Sequence, residues 1–68
     1  MEMRKVEGGK ALVLLDTDDL LILSNALNEV CNGIEVPEFA TRMGVSLEEA
    51  LTMQRAVNAI YERLTRRT

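Results

Sequence analysis

Three aspartates within four residues, Asp16, Asp18 and Asp19, form the densest set of chemically capable side chains in the chain. Carboxylates this close together can share a proton for acid/base work or surround a hard cation. Here a simpler role is sufficient, because no Asp-x-Asp-x-Asp-Gly loop follows and acids placed just before an apolar run cap a helix and face the positive end of its dipole. Cys31 is the single cysteine and there is no histidine. It therefore has neither a base to make it a nucleophilic thiolate nor a partner for an internal disulfide, and no zinc set can be assembled around it. Its expected role is that of a small buried hydrophobe. Arg63, Arg66 and Arg67 could touch phosphates, but three arginines at a helix C-terminus are accounted for by the helix dipole and by solubility. An enzyme is not expected, and neither a metal nor a cofactor is implied.

A different kind of chemistry, recognition, is suggested by Asn25, Asn28 and Asn32, which recur at i, i+3 and i+7 along one helical side. Asparagine is a poor helix former, so each costs a few tenths of a kcal/mol relative to alanine. A solvated face whose last amide caps the helix would explain them. The functional alternative is a contact stripe, and with Glu29, Glu35 and Glu38 these residues make the candidate partner-binding surface.

The net charge of −3 divides unevenly along the chain. Residues 1–15 hold three basic against two acidic side chains, residues 16–50 hold eight acidic against Arg42 alone, and residues 51–68 hold four arginines against Glu62. The middle is thus an acidic body, which steers toward basic partners and away from nucleic acid within a screening length of about 8 Å.

The elements that must position these groups form one domain, residues 1–68, with neither repeats nor linkers. A chain this short buries only about 60% of its unfolded surface, so helix packing or self-association has to supply its stability. Gly8-Gly9 can form a tight turn, making residues 1–15 a short hairpin or an extended arm. Three helices are expected at 17–32, 37–43 and 47–66. The first is capped by Asp16 or Thr17, buries Leu20, Leu23, Leu27 and Val30, and ends at a left-handed Gly33. The second opens at Pro37, is pinned by Phe39 and stops at Gly44. The third starts with a Ser46/Glu49 capping box and buries Ala50, Met53, Val57, Ile60 and Leu64. The expected fold is mainly α, a hairpin or arm followed by a long-short-long orthogonal three-helix bundle. Leu12, Leu14, Leu21 and Ile22 exceed what so small a core can bury, which makes them the expected contacts of a homodimer. No run is long enough to span a bilayer and no signal peptide is visible, so a cytoplasmic protein is expected.

Ala40, Gly44, Val45, Ala50 and Met53 match the packing positions of bacterial helix-turn-helix domains, which the segment 37–57 resembles. That resemblance implies a dimeric DNA-binding regulator. The segment departs from the family at Glu48, Glu49 and Thr52, where basic or amide side chains would meet the major groove. The wider pattern from Ala26 to Ile34, then Pro37-Glu38-Phe39 and Thr41 to Val45, is similar to small bacterial proteins loosely associated with immunity-type partners of toxins. It implies a compact module that binds another protein. The preferred expectation is a non-catalytic interaction module, with nucleic acid and membrane disfavoured as partners.

Overall fold

The computed structural model describes residues 1–66. Arg67, expected beside Arg63 and Arg66, lies outside the described residues. The chain is mostly helical and opens with a two-stranded antiparallel hairpin, β1 (Glu2–Glu7) and β2 (Lys10–Leu14), followed by α1 (Thr17–Asn28), a π turn (Glu29–Gly33), α2 (Phe39–Met43) and α3 (Leu47–Thr65).

The hairpin turns where two glycines permit it. Gly8 and Gly9 have φ of 57° and 78°, the two consecutive left-handed residues whose twist matches that of the flanking strands. Glu7 pairs with Lys10, Val6 with Ala11 and Lys5 with Leu12, after which a bulge at Arg4 shifts the register so that Met3 meets Val13 and Glu2 meets Leu14. A bulge adds one residue to a strand and so reverses its alternation. Met3 and Val6 therefore fall on the same face although three positions separate them.

The capping residues act as expected at two helix starts. Asp16, rather than Thr17, caps α1: its carboxylate accepts from the Asp19 amide at 2.8 Å, and that of Asp19 accepts from the Asp16 amide at 3.2 Å. Ser46 and Glu49 make the equivalent pair on α3, both bonds being 3.1 Å. α3 ends at Thr65, one residue short of expectation, because Arg66 is already extended at ψ 130°.

Two expected boundaries are corrected. The first helix does not run in α geometry to Asn32 and stop at a left-handed Gly33. It widens after Asn28 into a turn closed by the Ile34 amide on the Glu29 carbonyl at 2.9 Å, an i to i+5 bond, and Gly33 is not among the positive-φ glycines. Absence of a side chain matters at Gly33 for another reason: a Cβ there would lie 2.6 Å from the Glu29 carboxylate. The second helix begins at Phe39 instead of Pro37, since Glu38 takes a left-handed backbone, φ 52°, that no helical turn can include. Gly44, φ 77°, ends it as expected, its amide bonding to the Ala40 carbonyl at 2.9 Å.

α1 packs on α3, and the π turn packs against both. Leu20, Ala50 and Val57 are buried, with Leu23, Leu27 and Val30 half-buried beside them. The inner line of α3 is Ala50, Gln54, Val57 and half-buried Tyr61, not the expected seam. Met53, Ile60 and Leu64 are instead 57, 54 and 52% exposed. The reason is polar. Gln54 and Asn58 find hydrogen-bond partners on the first helical segment only if α3 is rotated to present them, and a buried amide without a partner costs about 1–3 kcal/mol. α2 takes little part in this packing, Phe39 being its half-buried residue. The chain is a slab of 38 × 34 × 16 Å whose radius of gyration, 13.6 Å, exceeds the about 11 Å of a compact domain of this length.

Candidate protein-interaction surface

The asparagine stripe divides once the helices pack. Asn25 is exposed at the surface of α1. The Asn28 Oδ1 accepts from the Gln54 Nε2 at 3.2 Å, and the Asn32 Nδ2 donates to the Gln54 Oε1 at 3.4 Å and to the Asn28 Oδ1 at 3.3 Å. One turn earlier the Ser24 hydroxyl donates to the side-chain Oδ1 of Asn58. Asn28 and Asn32 thus remain solvent-accessible while their amides hold Gln54, itself only 7% exposed. Every buried side-chain polar atom among the described residues has a partner.

Of the acids, Glu29 adjoins this amide cluster, while Glu35 and Glu38 follow it along the chain. Glu29 folds over Gly33, the extended Ile34 leads the chain out through exposed Glu35, and Glu38 stands exposed before α2. Among the described residues the ion pairs are Met1 with Asp19, Arg4 with Glu2 and Lys5 with Glu7. Asp16, Asp18, Glu29, Glu35, Glu38, Glu48 and Glu49 have no cationic partner among those residues. Such a surface holds a one-signed field until salt or a partner neutralises it.

The shifted titrations are explained by capping and the chain terminus. The Met1 ammonium, 2.7 Å from the Asp19 carboxylate, holds that group below its ordinary value with help from the Asp16 amide, and the ammonium is raised in return. Glu49 is lowered by the amide and then the hydroxyl of Ser46. Both are local helix-start arrangements. Among the described residues no group of three or more His, Cys, Asp or Glu side chains is placed to hold a metal ion, and no helix is long and apolar enough to cross a membrane. Cys31 is half-buried.

The residues expected to make a dimer are open to solvent: Leu12, Leu14, Leu21 and Ile22 are 62, 48, 41 and 67% exposed. Beside them are apolar groups that sequence patterning misses, Met3 and Val6 on the hairpin and Met53, Ile60 and Leu64 on α3. The first pair is concealed by the bulge at Arg4; Gln54, amid the apolar spacing, was the available sign of the second. No protein-family model, curated protein or solved structure matches the chain.

Proposed function

We propose that the chain is a small non-catalytic interaction module, of the immunity, antitoxin or regulator kind, that binds a basic protein partner on its acidic, amide-rich side. The observation that carries this reading is the set of exposed carboxylates Asp16, Asp18, Glu29, Glu35, Glu38, Glu48 and Glu49, which lack counter-charges among the described residues. Uncompensated charge of one sign speeds encounter with an opposite surface and fixes its orientation. Asn25, Glu29, Glu35 and Glu38 would supply the contacts, while Asn28 and Asn32 present the outer sides of amides whose inner sides serve Gln54. The same reading takes α1, α2 and α3, of 12, 5 and 19 residues, as the long-short-long elements of an orthogonal bundle.

The test is capture from the native organism by the immobilised chain. One retained protein, lost when Glu35→Lys and Glu38→Lys are combined and weakened by salt, is expected. Both side chains are exposed, so the variant is expected to keep its helical circular dichroism. Equal retention by the variant would reject this surface.

A helix-turn-helix regulator is the competing reading, favoured by the left-handed Gly44 between α2 and the capped start of α3. Against it stand exposed Glu48 and Glu49, with the Thr52 hydroxyl already donating to the Glu48 carbonyl at 2.9 Å. Nanomolar, sequence-selective gel shifts at physiological salt would reverse the preference.

A further inference from the structure

Two of the apolar surfaces left open among the described residues are of complementary kinds. Strand register puts Met3, Val6, Ala11 and Val13 on one face of the hairpin, with Glu2, Lys5, Glu7 and Lys10 on the other beside Leu12 and Leu14. Met3 and Val6 are 66 and 64% exposed, so the helices of the same chain leave the β1 side of that face uncovered, with Val13 half-buried. An isolated two-stranded hairpin is at best marginally stable in water, and a sheet face needs a second layer. The other surface is the stripe of Met53, Ile60 and Leu64 on α3, about a quarter turn from the buried line.

Area indicates how much is missing. The chain exposes 5712 Å², whereas a folded monomer of 7.6 kDa exposes about 4,300 Å² by the size scaling of compact proteins. The excess, about 1,400 Å², is within one subunit's share of a permanent dimer interface, about 1,000–2,500 Å².

We propose that the chain is a homodimer in which the apolar face of each hairpin lies along the Met53, Ile60 and Leu64 stripe of the other copy. This deepens the reading of the chain as an interaction module by naming one partner, a second copy, and the surface it uses. The stripe rises about 16 Å along α3, and the apolar pairs Met3/Val13 and Val6/Ala11, about 7 Å apart along the strands, cover part of it. A two-fold axis covers both surfaces on both copies at once and closes the assembly. Pairing hairpin with hairpin would leave the α3 stripe bare, and pairing stripe with stripe would leave the sheet bare.

Light scattering on the unmodified chain should return about 15 kDa, twice the 7.6 kDa chain mass, and Ile60→Glu should halve it. The arrangement is tested by cross-linking in a Cys31→Ala background. Chains carrying Val6→Cys are co-refolded with chains carrying Ile60→Cys, and a disulfide-linked pair is expected only in the mixture. A linked pair from Val6→Cys alone, or none from the mixture, overturns the arrangement, and a monomeric unmodified chain overturns the dimer. Either failure leaves capture by the acidic surface to be judged separately by the Glu35→Lys, Glu38→Lys variant.

Discussion

The α1–α3 pair and the hairpin have opposite relations to the rest of the chain. Leu20, Ala50 and Val57 are enclosed between helices whose inner amides are mutually satisfied, whereas every residue of β1 and all but Val13 of β2 are exposed. The helices hold themselves together. The hairpin has its turn and ladder but no second layer. Regular backbone hydrogen bonding is therefore no measure of independence in so small a chain; the decisive quantity is which apolar face finds a cover.

Removing the enclosed side should produce the largest effect. Leu20→Ala deletes most of a side chain that is 1% exposed and should cost about 3–5 kcal/mol, most of the stability expected for a domain of this size. Urea denaturation followed by circular dichroism measures it. Val6→Ala, in protein dilute enough to be monomeric, should cost less than about 1 kcal/mol because the side chain is already largely in water. Equal losses would mean that the hairpin is packed on the helices and would end the contrast.

The polar seam gives the next effect and shows how the helices choose their faces. Asn28→Ala removes the acceptor for the buried Gln54 amide and should cost about 1–2 kcal/mol. Gln54→Leu leaves Asn28 and Asn32, both exposed, to bond with water, so it should be nearly neutral. In the double variant the penalty of Asn28→Ala should largely disappear, a coupling that thermal melts of the four proteins can resolve. Strict additivity would show that the amides do not act together.

Local signals were legible in the sequence, and signals that depend on packing were not. The Ser46/Glu49 box and the Gly44 stop involve residues within a few positions of one another, so spacing alone reveals them, while it narrows the α1 cap to Asp16 or Thr17 and the Gly8-Gly9 segment to a hairpin or an arm. The rotation of α3 depends on amides of another helix, which is why Met53, Ile60 and Leu64 read as core by period and emerge as surface. The widened turn at Glu29–Gly33 escaped for a similar reason, since Gly33 resembles a helix stop whether or not its φ is positive. Of the candidate surface, the acid excess was visible from composition, but the engagement of Asn28 and Asn32 with Gln54 requires the α1–α3 registry.

The two glycines that border helical segments sharpen the distinction between backbone need and side-chain space. Gly44→Ala forces a Cβ onto a left-handed residue and should cost about 1 kcal/mol, although nothing lies within 4 Å. For Gly33→Ala the three atoms nearest the added Cβ belong to the movable Glu29 carboxylate, and the backbone is not left-handed. Reduced freedom of the unfolded chain should then stabilise it by up to about 0.5 kcal/mol, less what Glu29 loses on moving. Chemical denaturation of both variants checks the opposite signs.

The smallest effect is expected at the link between the hairpin and the helices, the Met1 ammonium on the Asp19 carboxylate at 2.7 Å. Asp19 is held below its ordinary value, so its contribution is present above about pH 4 and disappears as pH falls through the folded value. The ammonium is raised, so its contribution is present below about pH 8 and disappears as pH rises through the folded value. Glu49, also lowered, adds to the acid limb alone. Melting temperature should therefore form a low plateau between those limits, shallow because the groups are solvated, and flatter still in salt. Acetylating the amino terminus should remove the alkaline limb above about pH 8 while preserving the acid limb through Ser46 and Glu49. If the unmodified protein shows no such alkaline limb in low salt, the terminus does not clasp Asp19.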